Sequence, residues 1–255
     1  MREILFSGVF ALLFSFFGTP ILIRSLAKRG YGQIIRDDGP KSHHVKRGTP
    51  TMGGIVIAFA AVAGHLISHL ISRTAISTSA ILVIGLFISL GFVGFLDDWL
   101  KVAKQRSLGL TAWQKIGGQV IVATTFATLG MKFPDRDGLT PISQNLSAIR
   151  ETGITLGAVL VVIWVVIMVT ATSNGVNLTD GLDGLSGGLL ATAFGAFAII
   201  ALAQGNVGIA GFCMASVGAV LAYTWFNIFP ARFFMGDIGS FALGTALGIV
   251  AMLTN

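Results

Sequence analysis

The chain has 255 residues, of which 54% are hydrophobic and only 11% are charged. Its mean hydropathy is +0.83, whereas a soluble domain carries about 25% charged residues. This composition excludes a soluble globular domain and predicts an integral membrane protein. The formal net charge of +6 favours anionic lipid or an anionic substrate as a partner. No basic stretch is interleaved with aromatic residues, which argues against nucleic acid.

Eight apolar runs follow one another along the chain and predict an all-α, polytopic helical bundle forming a single domain over residues 1–255. Seven are long enough to span a bilayer, which takes about 20 apolar residues in a helix. The fourth is the weakest of these, and the eighth is too short to cross the membrane unaided. The runs are Ile4–Leu26, Gly53–Ile71, Ile76–Leu96, Ile116–Met131, Ile154–Thr172, Leu185–Ala203, Val207–Ile228 and Phe241–Leu253.

Lys and Arg are unevenly distributed between the connections that join these runs. Eleven lie in the odd-numbered connections, and five lie at the N-terminal end and in the even-numbered ones. Positive residues accumulate on the cytoplasmic side, so the odd connections are predicted to be cytoplasmic and the N-terminus external. The acids that carry candidate chemistry also fall in odd connections, and we expect them to share one face. They are Asp37, Asp38, Asp97, Asp98, Asp180, Asp183 and Asp237.

The connection at Asn174–Ser186 is the richest in functional groups. It holds the carboxamides of Asn174 and Asn177 and the carboxylates of Asp180 and Asp183, without Lys or Arg. Its Asp-Gly steps predict tight turns. A helix cap needs only one such side chain, so four in ten residues favour a loop that binds Mg²⁺ or the ribose and base edge of a nucleotide.

Asp97 and Asp98 end the third run and are followed by Lys101. Two adjacent carboxylates at a membrane exit are costly, which favours a catalytic role over a solvated helix end. Their mutual repulsion makes one of them a usable base. Most of the nearby cations fit the positive-inside pattern, but Lys101 and Lys115 are placed to reach a substrate phosphate.

Two further connections carry candidate groups. Asp237 lies in a glycine-rich turn, which suits a Mg²⁺ ligand. Near it, Phe234 offers a face for a nucleobase, although an interfacial aromatic belt is the alternative. In the first connection, Lys46 and Thr51 flank the start of a predicted helix, where free N–H groups receive phosphate. A positive-inside anchor with a Pro-initiated helix is the alternative there.

Together the four connections supply acids for a divalent cation, cations for phosphates and amides for a nucleoside, all beside a membrane. The chemistry that uses all of them is the transfer of a phosphoryl sugar from a nucleotide to a lipid phosphate. Mg²⁺ would bridge the diphosphate in such a reaction.

Four stretches of the sequence resemble a known family. Asp97–Lys101, Asn174–Leu185 and Met235–Ser240 resemble motifs of the polyprenyl-phosphate N-acetylhexosamine-1-phosphate transferase superfamily. Gly32–Gly54 resembles the phospho-N-acetylmuramoyl-pentapeptide transferase family within it. This resemblance covers the whole chain. It implies attack of undecaprenyl phosphate on UDP-MurNAc-pentapeptide, giving lipid I and UMP with Mg²⁺, either directly or through an aspartyl intermediate.

The resemblance also implies roles for individual residues. Asp237 would be a metal ligand, and Asp97 and Asp98 would lie near the lipid phosphate, with Asp98 as the favoured base. The enzyme would work in peptidoglycan synthesis, on the cytoplasmic face of the bacterial inner membrane; a homodimer is left open. The nucleotide site would be lined by Lys46, Thr51, Asn177, Asp180, Asp183, Asn227 and Phe234.

One departure from the family and two alternatives complete the interpretation. The family has ten spans and a late histidine-bearing loop, whereas this chain ends at Asn255 within its eighth run. We therefore expect a C-terminally truncated chain that makes no lipid I at a meaningful rate. One alternative is a UDP-GlcNAc:polyprenyl-phosphate GlcNAc-1-phosphate transferase, against which the first connection argues. The other is a membrane carrier, which would place ionisable groups near the bilayer midplane.

Overall fold

The computed structural model describes residues 1–32, 48–106, 108–135, 137–147 and 151–254. Within these ranges the chain forms eight α-helices and one short β-hairpin. The helices are α1 (Arg2–Lys28), α2 (Gly54–Ser72), α3 (Thr78–Ala103), α4 (Ala112–Lys132), α5 (Ala158–Thr179), α6 (Leu185–Ala203), α7 (Val207–Asn227) and α8 (Gly236–Leu253). The predicted helical bundle is confirmed. The hairpin was not predicted, and it pairs β1 (Asn145–Ser147) with β2 (Glu151–Thr155) in antiparallel fashion.

Seven of the described helices are long and apolar enough to cross a membrane, and α4 is the exception. Its composition is less apolar, in agreement with the weak signal at Ile116–Met131. Its 21 residues nevertheless reach about 31 Å at 1.5 Å each. Lys115 near its start contacts Asp237, while Pro134 beyond its end accepts a hydrogen bond from Thr78 at the opposite end of the bundle. We conclude that α4 extends from one end of the bundle to the other.

Helix α8 corrects the expectation of a short eighth segment. It begins at Gly236 rather than at Phe241 and has 18 residues, which reach about 27 Å. The apolar run understated its length because Asp237 and Ser240 belong to its first turns. It is also the most enclosed of the seven, with 72% of its most apolar window buried. It packs between α3 and α5, so it forms the centre of the bundle.

Small residues let the other helices approach α8 closely. A Cβ atom added at Gly94 of α3 would collide with the carbonyl oxygen of Asp237, and one added at Gly54 of α2 would collide with Gly239. Such close contact between helix backbones is the usual role of glycine in membrane bundles. Because Asp98 follows Gly94 by one helical turn, the contact places its carboxylate beside the N-terminus of α8.

Two helices continue past the points where their apolar runs end. Helix α3 passes through Asp97 and Asp98 to Ala103, and α5 passes through Asn174 and Asn177. These acids and amides therefore lie on helices, and the predicted connections are shorter than expected. The prediction that the acids share one face of the bundle is confirmed for Asp97, Asp98 and Asp237, which contact the same lysine. Asp37 and Asp38 lie outside the described residues.

Candidate active site

Three aspartates from two helices form the acidic cluster at this face. Asp97 and Asp98 come from α3, and Asp237 comes from the first turn of α8. Each offers a carboxylate oxygen within 4.8 Å of the others, and all three are buried. Residues 140 positions apart in the sequence thus meet, as the predicted shared face requires.

Two lysines hold this cluster together. Lys101 Nζ lies 2.5 Å from Asp97 Oδ2 and 3.4 Å from oxygens of both Asp98 and Asp237. Lys115 Nζ lies 3.1 Å from Asp97 Oδ1 and 2.6 Å from Asp237 Oδ2. Buried carboxylates are strongly destabilising unless they are paired in this way. The sequence predicted that both lysines reach phosphate, but did not predict that each bridges α3 and α8.

The two neighbouring aspartates of α3 have different surroundings. Asp97 is fully buried, and its Oδ1 accepts a hydrogen bond of 2.7 Å from the backbone N–H of Leu110. Asp98 Oδ2 instead accepts a hydrogen bond of 3.2 Å from the N–H of Ile238, at the start of α8. The free N–H groups of a helix N-terminus stabilise a carboxylate there. Of this pair, only Asp98 lines the cavity beside the cluster.

That cavity measures about 220 Å³ and opens beside the acids. Seven of its nine lining residues were predicted from the sequence, so the candidate residues do converge. The lining consists of Thr51, Asp98, Lys101, Asn177, Asp180, Gly181, Phe234, Gly236 and Asp237. Gly236 has a φ of +72°, and a Cβ atom there would collide with Asp98 Oδ2. Only glycine tolerates both the positive φ and the close approach of the Asp98 carboxylate at this position.

Asn177 orients Asp237 from the side of α5. Its Nδ2 donates to Asp237 Oδ1 at 2.8 Å and to Ser240 Oγ at 2.9 Å. Asp237 is therefore held from both sides, by this amide on one oxygen and by Lys115 on the other. Ser240 was not proposed as a site residue, although it ends the Met235–Ser240 motif.

Asp180 lies just beyond α5 on the same wall and is half-buried. Partial burial raises the pKa of its carboxyl to about 7, and the charges of Asp98 and Asp237 act in the same direction. A hydrogen bond of 2.7 Å donated by Ser186 Oγ to Asp180 Oδ1 opposes that rise. The raised pKa favours the protonated form of this carboxyl, which can donate as well as accept a hydrogen bond.

Four described residues predicted to bind substrate are not among those that line the cavity. One of them, Lys115, contacts Asp97 and Asp237 in the cluster. Asn174 donates to Thr170 O at 2.8 Å and to Gln119 Oε1 at 3.4 Å, which ties α5 to α4. Asp183 accepts a hydrogen bond of 3.0 Å from the N–H of Ala231.

Asn227 is almost fully buried and uses both ends of its amide. It accepts from Gly184 N at 2.9 Å and donates to Phe233 O at 2.8 Å. These contacts fix the α6 N-terminus and the α7–α8 connection around the cavity. A binding role for Asn174, Asp183 and Asn227 stays a prediction. Lys46 lies outside the described residues.

The donor set of the cluster fits a hard divalent cation. Mg²⁺ prefers oxygen ligands and is commonly held by one or two carboxylates together with substrate phosphates. Asp98 and Asp237 both line the cavity and both offer carboxylate oxygens. The carboxylate geometry is thus compatible with Mg²⁺, and Asp237 is the aspartate that contacts groups of three helices.

The fold and the site together describe a helical membrane protein with an acid–lysine cluster and a polar cavity at one face. Residues 79–255 match the model of glycosyl transferase family 4. Residues 46–57 match phospho-N-acetylmuramoyl-pentapeptide-transferase signature 1.

Curated relatives define the family more narrowly. The phospho-N-acetylmuramoyl-pentapeptide-transferase of Streptomyces avermitilis is 46% identical over 276 aligned residues, covering 100% of this chain and 77% of the relative. Those of Kineococcus radiotolerans and Frankia casuarinae are 45% and 44% identical, each over 100% of this chain and over 78% and 77% of their own lengths. The chain therefore belongs to the phospho-N-acetylmuramoyl-pentapeptide transferase family.

Proposed function

We propose that the protein transfers phospho-MurNAc-pentapeptide from UDP-MurNAc-pentapeptide to undecaprenyl phosphate. The products are lipid I and UMP, and the reaction belongs to the peptidoglycan synthesis that underlies cell shape and division. The observation that carries the proposal is the convergence of Asp98, Lys101 and Asp237 on one cavity at one end of a membrane bundle. Family membership supplies the identity of the donor and the acceptor.

The residues of the acidic cluster have different roles in the proposed reaction. Asp98 acts as the base toward the lipid phosphate, because it lines the cavity while Asp97 is enclosed. Asp97 holds Lys101 and Lys115 in place. Lys101 lines the cavity with a side chain that is 29% exposed, so it contacts phosphate oxygens as well as the acids.

The nucleotide part of the donor occupies the other side of the cavity. Asp180 and the half-buried Asn177 offer polar groups to the ribose and base, while Phe234 offers an aromatic face. Thr51 lies at the same wall and places a hydroxyl near the phosphates. Asp237 is the proposed Mg²⁺ ligand, and Asn177 fixes the direction of its carboxylate. When bound, Mg²⁺ supplies positive charge that neutralises the diphosphate and the departing UMP.

A transferase that uses UDP-GlcNAc is the alternative within the same chemistry. The match of residues 46–57 to the muramoyl-pentapeptide signature favours the muramoyl donor. A membrane carrier is disfavoured because the described acids that line the candidate site, Asp98, Asp180 and Asp237, lie at one end of the bundle, beside the starts of α4 and α8. Carriers place such groups near the midplane.

Turnover of the protein expressed from its complete gene tests the function. The purified protein receives polyprenyl phosphate, Mg²⁺ and UDP-MurNAc-pentapeptide, and both UMP and lipid product are measured. We expect equimolar UMP and lipid I, with no inhibition by a tenfold excess of UDP-GlcNAc. UMP release that depends on UDP-GlcNAc, or movement of solute across vesicles without UMP release, would assign one of the two alternatives instead.

We further propose that the eight helices act as one domain in the bacterial cytoplasmic membrane, with the cavity facing the cytoplasm. The asymmetry of Lys and Arg supports this orientation. Cysteines introduced at Lys104 and Asp135 should react with impermeant maleimide from opposite sides of the membrane. Labelling of both positions in intact cells would overturn the assignment of faces.

A further inference from the structure

Gln119 is a fully buried amide on a helix that crosses the membrane region. The other buried positions of α4 are Ala123, Phe126, Ala127 and Gly130, all of them apolar or small. A buried amide without partners destabilises a fold by several kcal/mol in an apolar medium, so such groups persist where they are bonded. The signal was present in the sequence, as an amide within the run Ile116–Met131.

Both ends of this amide are bonded to α5. Gln119 Nε2 donates to Ser173 Oγ at 3.0 Å, and Ser173 Oγ in turn donates to Val169 O at 2.6 Å. Gln119 Oε1 accepts from Asn174 Nδ2 at 3.4 Å. Ser173 is fully buried as well. The contact is thus a dry, polar connection between two helices.

The helical register relates this connection to the cluster. Lys115 precedes Gln119 by four residues, and Asn177 follows Ser173 by four residues, so each pair lies on one face of its helix. Lys115 Nζ reaches Asp237 Oδ2 at 2.6 Å, and Asn177 Nδ2 reaches Asp237 Oδ1 at 2.8 Å. The Gln119–Ser173 contact therefore lies one helical turn away from Lys115 and Asn177, through which α4 and α5 contact Asp237.

Helix α4 has little other support. Among the described elements it packs mainly against α3 and α5, and much of its surface is exposed. A small rotation or slide of α4 would move the long Lys115 side chain away from Asp237. The polar contact one turn away restricts both motions.

We infer that Gln119 is a positioning residue, which acts on the acidic cluster through Lys115. The inference rests on the proposed function for its kinetic consequences, but its geometric content is independent of that function.

Three variants test the inference. Gln119→Met keeps the size of the side chain and removes the amide. Ser173→Ala removes the partner from the other helix with a smaller change. Ser7→Ala is the matched control, because Ser7 Oγ and Ser68 Oγ form a buried contact of 2.6 Å between α1 and α2, away from the cluster.

The geometric test measures chemical modification of lysine by mass spectrometry in the intact protein. Lys115 and Lys101 have similar side-chain exposures, 24% and 29%, and Lys101 serves as the internal reference on α3. We expect the rate of reductive methylation at Lys115 relative to Lys101 to rise at least threefold in Gln119→Met and in Ser173→Ala. Ser7→Ala should leave the ratio unchanged. An unchanged ratio in both α4–α5 variants would overturn the inference, whatever the enzyme does.

The kinetic test uses a double-mutant cycle on turnover. Gln119→Met should lower kcat about tenfold and leave the donor KM within twofold, because the cavity residues that contact the donor stay in place. In a Lys115→Met background the same change should have no further effect on kcat, since a residue that acts through Lys115 has nothing left to position. Multiplicative losses would show that Gln119 acts elsewhere. Absence of turnover in the wild-type protein would count against the proposed function, and the methylation ratio would still decide the inference.

Discussion

The two ends of the bundle both bury acidic side chains, but they satisfy them in opposite ways. At the end that carries Glu3, this residue contacts His69 Nε2 at 3.1 Å and accepts from Thr74 Oγ1 at 2.8 Å. Asp135 at the same end accepts hydrogen bonds from the backbone and hydroxyl of Ser79. Each acid has its own local partners, which tie neighbouring helices together around a polar cavity of about 600 Å³.

At the other end three carboxylates share two ammonium groups. Asp97, Asp98 and Asp237 all contact Lys101, and two of them also contact Lys115. Three acids and two lysines packed beside a cavity are an unfavourable arrangement for stability. The acids are suited to hold a cation and the lysines to contact phosphates. We propose from this comparison that Glu3 and Asp135 stabilise the fold, whereas Asp98 and Asp237 serve the reaction.

Among the substitutions that compare the two ends, Asp237→Asn should have the largest effect on turnover. Loss of the proposed cation ligand should abolish UMP release, because several kcal/mol of barrier are involved and each ~1.4 kcal/mol is tenfold in rate. The measurement is UMP release under saturating substrates, beside a thermal melt. We expect a smaller loss of melting temperature than in Asp97→Asn, because Asp237 borders the cavity whereas Asp97 is enclosed. Activity within a few-fold of wild type would remove Asp237 from the reaction.

Asp98→Asn should follow in size and sharpen the distinction within the cluster. Loss of a general base typically lowers a rate by about 10²–10⁴-fold, and we expect kcat to fall in that range with little loss of stability. Asp97→Asn should lower the melting temperature as well, because Asp97 is enclosed and contacts both lysines. Equal melting temperatures with equal kcat values in the two variants would contradict the assignment of separate roles.

Glu3→Gln tests the opposite end. The substitution leaves His69 and Thr74 without their charged acceptor and should destabilise the fold by about 1–3 kcal/mol. Turnover at a temperature where the variant is folded should stay within threefold of wild type. A large loss of kcat without a loss of stability would show that the two ends are coupled in the reaction.

The smallest expected effect concerns Asp180 and pH. Its pKa is about 7 in the folded protein and close to 3.9 in an unfolded chain, so folding takes up a proton between these values. The resulting contribution to stability is present below about pH 4 and is lost as pH rises to about 7. In cation-free buffer, the melting temperature of Asp180→Asn should therefore fall less than that of the wild-type protein as the pH rises from 5 to 8. Parallel curves for the two proteins would contradict the raised pKa.

Hydropathy and charge were sufficient to predict the bundle and the shared face. Most of the cavity wall was predicted from the functional groups in the connections and from the family resemblance. The ends of the helices were not predictable in this way. Helix α3 extends beyond Leu96, α5 extends beyond Thr172 and α8 starts before Phe241, because tertiary partners satisfy polar residues that end an apolar run.

The contacts between individual side chains also could not be predicted from the sequence. Whether Lys115 contacts a ligand or Asp237, and whether Asn174 faces the cavity or Gln119, depends on helix rotations set by packing. Gly94 and Gly54 fix two of these rotations through close backbone contact with α8. No local sequence pattern predicts which helix such a glycine will contact.

Binding of Mn²⁺ to the purified protein tests the central claim, that Asp237 of the buried acidic cluster holds the cation of the transferase. Electron paramagnetic resonance titration in the presence of UDP counts the bound ions without turnover. We predict one tightly bound Mn²⁺ per chain in the wild-type protein and in Glu3→Gln, and its loss in Asp237→Asn. Retention of the ion in Asp237→Asn, or its loss in Glu3→Gln, would contradict the account.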